Sequence, residues 1–164
     1  RVSSIPESLT FAGSFNLTML ASTAMSAFGI DLDEWMQETI ETIKKYTNRP
    51  IVVRNKVSRR ERTATDTMEM ALSRDIHCLV TFNSIAATEA VLLGKPAFTL
   101  GPNAAHAVSL SDLSQIENPK IPTAEEVEAW AAHLSYCQFS EAEMRDGTAW
   151  RILNDNDVTL WQPK

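Results

Sequence analysis

The chain has 164 residues, 44% hydrophobic and 22% charged, with five glycines and seven prolines, so it is neither disordered, fibrous nor repetitive. Its length is that of one ordinary domain, able to bury roughly two-thirds of its unfolded surface without disulfides or metals. Two cysteines without a CxxC pattern exclude a disulfide scaffold and a zinc finger, and a net charge of −6 excludes a protein whose whole surface binds nucleic acid.

The chain starts at Arg1 rather than Met, as a fragment or processed form does. Ser8 to Ile30 carries no charge, but Ser, Thr, Asn and Gly interrupt it, and no apolar run approaches the roughly 20 residues of a membrane span. Glu7 spoils the basic flank a signal peptide needs. No membrane span and a cytoplasmic location are expected. A weak strand is expected around Leu17–Leu20.

The first strongly periodic segment is Asp31–Tyr46, where Leu32, Trp35, Met36, Ile40 and Ile43 form one apolar stripe of a helix. Asp31, Asp33 and Glu34 open it and Lys44 and Lys45 close it, as the helix dipole prefers. Arg49-Pro50 ends it, and Ile51-Val52-Val53 reads as a short buried strand. A basic loop, Arg54–Arg62, leads to a shorter helix at about Thr65–Arg74. Cys78–Phe82 is the next strand, Asn83-Ser84 turns into a helix at Ile85–Leu93, and Gly94 stops it. Pro96 opens a third strand, Ala97–Leu100, ending at Gly101-Pro102-Asn103. Beyond Pro122, helices are expected at about Thr123–Cys137 and Ser140–Leu153. The strands are continuous apolar runs separated by helices, the pattern of a parallel sheet covered on both faces. A three-layer α/β domain is expected over residues 1–164, with residues 1–30 as a poorly defined lead-in and 123–154 as extra helices.

Charge is unevenly distributed. Eight of the fifteen basic residues, Lys44, Lys45, Arg49, Arg54, Lys56, Arg59, Arg60 and Arg62, fall in a window with one acid, Glu61. After Gly101 there are ten acids and four bases. The window reads as a local anion-facing patch, or as a solvated surface loop.

In an open parallel sheet, ligands bind outside the carboxyl ends of the strands. Arg54–Arg62, Phe82-Asn83-Ser84 and Gly101–His106 leave strands at that edge and are expected to converge. The helix after Ser84 is apolar on every face, so burial is expected, while the amide groups of its first turn suit a phosphate. Glu89 is its only charge, so it needs either a cleft or a cationic partner, such as an arginine of the basic loop. It lies about 7–8 Å beyond Ser84 along the axis, near the span from a nucleotide's pyrophosphate to its ribose hydroxyls.

The runs Val80-Thr81-Phe82-Asn83-Ser84, Thr88-Glu89-Ala90 and Gly94-Lys95-Pro96 resemble the donor-nucleotide half of GT-B glycosyltransferases, of the capsule-polysaccharide synthesis type that includes Kdo transferases. The resemblance covers about fifty residues, Pro50 to Gly101. It implies a Rossmann-like domain with a parallel sheet of four or more strands. It also implies that Asn83, Ser84 and the helix start hold donor phosphate, while Glu89 binds the nucleotide-sugar portion. Arg54, Lys56, Ile85 and Thr88 join that site by position, with Arg59, Arg60, Asn103 and His106 as further candidates. The ligand would be a CMP- or UDP-type nucleotide sugar, with no metal or other cofactor required. Segments Trp130–Phe139 and Gly147–Leu153 also resemble tailed-phage proteins with this domain. The chain departs from the family in lacking the second Rossmann-like domain, which supplies the acceptor side and the catalytic base.

Other chemistries are weaker. Ser84 lacks the Gly-x-Ser-x-Gly frame of a hydrolase elbow, and neither Gly-x-Gly-x-x-Gly nor Walker A is present. Strand-turn-helix segments with an apolar helix also occur in sugar-nucleotide epimerases. His77 and His133 read as structural, and the four tryptophans read as packing residues. The rival readings are a non-catalytic binding protein on the same fold, and a nucleic-acid-binding module using Arg59, Arg60 and Arg62.

Overall fold

The computed structural model describes residues 17–21, 28–54, 71–72, 76–136 and 138–154. The chain divides into two compact units, Arg1–Pro122 and Thr123–Lys164.

In the first unit, strand β1 (Leu17–Ala21) is followed by helix α1 (Leu32–Tyr46), β2 (Ile51–Arg54), β3 (Ile76–Thr81), helix α2 (Ala86–Leu92) and β4 (Ala97–Thr99). The result is a mixed α/β unit with a small parallel sheet, ordered β2-β1-β3-β4. Registers Ala21↔Arg54, Ala21↔Thr81 and Thr81↔Thr99 align the carboxyl ends of all four strands in one row. Two 3-10 turns, His106–Val108 and Leu113–Gln115, follow β4. The chain returns along β4, where Thr99 N–H donates to the Leu110 carbonyl at 2.8 Å and Leu110 N–H to that of Ala97 at 2.9 Å.

Helix α1 forms because its end charges and apolar stripe agree. The Asp31 carboxylate accepts from the Asp33 and Glu34 amides at 3.0 Å each, and Met36, Thr39 and Ile43 are buried. Met36 and Ile43 join Cys78, Val80, Phe98, Leu113 and Ile116 in one apolar cluster, with Trp35, Ile40, Ile51 and Val53 packed against it. β3 buries residues of both parities, Cys78 and Val80 as well as Leu79 and Thr81, so both of its faces are covered. Helix α2 packs against β3 and β4 through its small buried residues Ala86, Ala87, Ala90 and Val91.

One expectation about α2 is corrected. Ile85 is 66% exposed, and Leu92 and Leu93 are exposed too, so the helix is buried on one side only. An all-apolar sequence cannot reveal which face lacks a covering layer. The expected helix at 65–74 lies outside the described residues, except for Ala71 and Leu72, which are helical and buried.

In the second unit, α3 (Ala124–Tyr136), α4 (Glu141–Arg145) and α5 (Thr148–Asn154) follow in order. A single helix over Ser140–Leu153 is expected from the apolar pattern. The structure breaks it at Asp146-Gly147, where Gly147 takes φ +82° and the Asp146 carboxylate caps α5 through the Thr148 amide at 2.9 Å. No helix among the described residues is long and apolar enough to cross a membrane.

Candidate functional site at the carboxyl edge

The turn after β3 is built by a chain of hydrogen bonds. The Ser84 amide donates to the Thr81 hydroxyl at 3.4 Å, and Ser84 Oγ accepts from the Ala86 amide at 3.3 Å. The Ser84 carbonyl accepts from the Ala87 amide at 3.2 Å and from Asn103 Nδ2 at 3.0 Å. Asn103 Oδ1 in turn accepts from the Ala105 amide at 2.9 Å, which locks the 101–106 loop in shape. Two of the three expected edge segments, Phe82–Ser84 and Gly101–His106, are therefore brought together.

Phe82 gives that junction its spacing. Gly101 N–H donates to the Phe82 carbonyl at 3.1 Å, and a Cβ added at Gly101 would sit 2.6 Å from the Phe82 ring. Only glycine lets the β4 loop pass so close to that side chain. The ring also meets Trp35 of α1 edge-to-face at 6.0 Å and Phe28 at 5.5 Å. Phe28 precedes α1 in the chain, so a residue from between β1 and α1 also reaches this point.

The amide groups at the start of α2 are not open, contrary to expectation. Ser84 already satisfies that of Ala86 through its folded-back hydroxyl and that of Ala87 through its carbonyl. Thr88 is buried and Glu89 half-buried, and among the described residues Thr88 Oγ1 and Glu89 Oε2 are buried atoms without a hydrogen-bond partner. A buried oxygen left unpaired on a largely apolar helix is costly.

Arg54 ends β2 in the same row as Thr81 and Thr99. Lys56, Arg59, Arg60 and Arg62 lie outside the described residues. At the end of β4, His106 is exposed, with Nδ1 3.4 Å from the Thr99 hydroxyl, which itself lies 2.6 Å from Ser109 Oγ. Thr99 and Ser109 have no motif signal. Their role in fixing this imidazole appears only when the loop folds back on the strand.

A second polar cluster occupies the opposite, amino edge. A cavity of about 430 Å³ is lined by Tyr46, Thr47, Asn48, Arg49 and Glu117. Glu117 accepts from the Thr47 hydroxyl and pairs with Arg49 at 2.9 Å. The Thr47 hydroxyl and the Arg49 cation hold its carboxyl below the ordinary 4.5. His77 Nε2 lies 2.6 Å from the Ile116 carbonyl, a structural role for that histidine. This cluster ties the end of α1 to the segment after the second 3-10 turn. Among the described residues, no group of three or more His, Cys, Asp or Glu side chains is placed to hold a metal.

No protein-family model, no curated protein and no solved structure matches the chain.

Proposed function

We propose that the carboxyl edge of this sheet binds a nucleotide sugar, as the donor half of a GT-B type glycosyltransferase or a descendant of one. The supporting observation is the Asn103–Ser84 bond, which joins the β3 and β4 loops into one polar rim. The strand order adds to it. The chain runs from β1 outward to β2, then crosses to β3 on the other side of β1, so order reverses between β1 and β3. In doubly wound, three-layer Rossmann-like folds, ligands occupy the crevice outside such a reversal. Asn83 and Ser84 leave β3 at that crevice, and Arg54 ends β2, which lies beyond β1 on its other side.

In this reading Asn83, Ser84 and Asn103 orient the phosphates, Arg54 supplies counter-charge, and the half-buried Glu89 carboxylate accepts from ribose or sugar hydroxyls. Sugar transfer would proceed by displacement at the anomeric carbon, with positive charge at the edge stabilising the departing nucleotide phosphate. Acceptor and catalytic base would come from another domain or chain. A non-catalytic nucleotide binder is the second reading. It is favoured by the commitment of Ser84 Oγ to the Ala86 amide, which leaves fewer donors for a developing charge.

Glu89→Gln tests the assignment. Folding should be nearly unchanged, while affinity for CMP-, UDP- or GDP-sugars falls roughly tenfold to a hundredfold, the loss of one charge-assisted hydrogen bond. Thermal melts of both proteins, with and without each nucleotide sugar, read the two effects separately. A large drop in Tm without any ligand-specific change would sink the donor-site role of Glu89. Turnover of the sugar by this chain separates transferase from binder.

A further inference from the structure

We infer that Phe28 is the stacking platform for the planar base of the ligand. The inference rests on the nucleotide reading above and sharpens it to a ring-recognising residue. Phe28 lies between β1 and α1 in the chain, and its ring packs edge-to-face on Phe82 with centroids 5.5 Å apart. Phe82 is itself 9% exposed, wedged between Trp35 and the backbone of Gly101. The inner rings are therefore fixed, and they hold the outer one. Phe28 leaves 48% of its surface to solvent on this rigid support.

A single exposed phenylalanine is ordinary on a protein surface. Its position carries the argument. Phe28 belongs to the β1 loop and Phe82 to the β3 loop, so their contact spans the two strands between which the sheet order reverses. Asn83 and Ser84 follow Phe82 directly, and Ile85, 66% exposed, comes next. One polar turn thus lies between two exposed apolar side chains, Phe28 and Ile85. A ligand with a flat ring at one end and anionic oxygens at the other matches that sequence of surfaces, since small-molecule sites are mostly apolar with a few placed polar groups.

The backbone around Phe28 is set for presentation. Gly29 takes φ +68°, a conformation that side chains rarely adopt, and Asp31 then caps α1. The turn is therefore specified on both sides of the ring's attachment point. Stacking on such a preplaced aromatic face tolerates any base, because each has a π-face.

The test uses Phe28→Leu, which keeps apolar bulk against Phe82 but removes the π-face, alongside Phe28→Trp, which enlarges it. Titrations of AMP, GMP, CMP and UMP, their nucleosides, and ribose 5-phosphate are compared with the wild type. Nucleotide affinity should fall roughly fivefold to 150-fold in Phe28→Leu and be kept or improved in Phe28→Trp, with ribose 5-phosphate unaffected. Equal nucleotide affinity in wild type and Phe28→Leu overturns the platform while leaving the nucleotide reading intact. A proportional loss of ribose 5-phosphate also overturns it, because Phe28 would then act by shaping the edge. Nucleoside binding that depends on Phe28, without any gain from phosphate, supports the platform and overturns the phosphate assignment. No binding of nucleotide or nucleoside by the wild type overturns both.

Discussion

The two units are held by different means. In Arg1–Pro122, Ile43, Leu72, Leu79, Val80, Phe98 and Ile116 are withdrawn from solvent completely, and order comes from burial. Among the described residues of 123–164, only Trp130 and Ala149 are buried, while Tyr136, Met144, Trp150 and Leu153 are exposed. There, order is written locally at the helix starts. Thr123 and Glu126 exchange hydrogen bonds ahead of α3, Ser140 and Glu143 do so ahead of α4, and Asp146 caps α5. A strand such as β3, buried on both faces, can hold the loop that follows it in place. Short capped helices hold themselves, and each holds only its own turn.

The largest expected effect tests the first half of that contrast. Phe98 is fully buried in β4 and packs in the cluster that joins α1 to the sheet. Phe98→Ala should cost about 3–5 kcal/mol through lost transfer energy and the cavity left behind. Chemical denaturation followed by near-UV circular dichroism measures it. A loss under about 1 kcal/mol would mean the cluster is not what organises the first unit.

The same contrast explains what was legible in the sequence. Helix α1 was readable almost to the residue, because its apolar stripe and its terminal charges are separate signals that agree. The Ile51, Cys78 and Ala97 strands were readable as apolar runs between helices. The exposure of Ile85, Leu92 and Leu93 was not, since apolarity reports what a residue prefers rather than what covers it. The meeting of the two edge loops followed from the parallel order, but the bond that makes it, Asn103 to Ser84, joins residues 19 apart through a side chain without a motif. The position of Phe28 against Phe82 was not legible, because an aromatic in an uncharged stretch looks like core. Its signal was the glycine that follows. The break at Asp146-Gly147 was not anticipated, because the apolar pattern of Trp150, Ile152 and Leu153 outweighed the cap residue followed by glycine.

A smaller effect is expected from the second half of the contrast. Ser140→Ala removes the hydroxyl that accepts from the Glu143 amide at 3.3 Å and donates to the Glu143 carboxylate at 2.7 Å. The cost should be about 1 kcal/mol, confined to α4. Amide hydrogen exchange resolves it by place. Faster exchange over 141–145, with β3 and β4 unchanged, is the expected result, and slowed or unchanged exchange there contradicts the capping account.

Acid is the gentlest probe and it separates the units by mechanism. The Ser140 amide and hydroxyl hold the Glu143 carboxyl below its ordinary 4.5. The Thr148 amide and hydroxyl hold that of Asp146 below 3.8, with nearby Arg151 adding a little. Both groups favour the charged form when folded, so below the ordinary values the unfolded chain binds more protons than the native one. Their stabilisation is therefore complete above those values and disappears as pH falls through the lowered native ones. Asp112 and Glu117 titrate in the same direction in the first unit, but they sit on its rim, with a fully buried core beneath. An acid titration followed by amide resonances should lose the α4 and α5 signals first, and those of Ile43 and Phe98 later. The chief contacts are hydrogen bonds rather than long-range attraction, so added salt should move the transition little. Simultaneous loss in both units would show that the caps contribute nothing separable, and that the helices of 123–164 depend on the same core as the sheet.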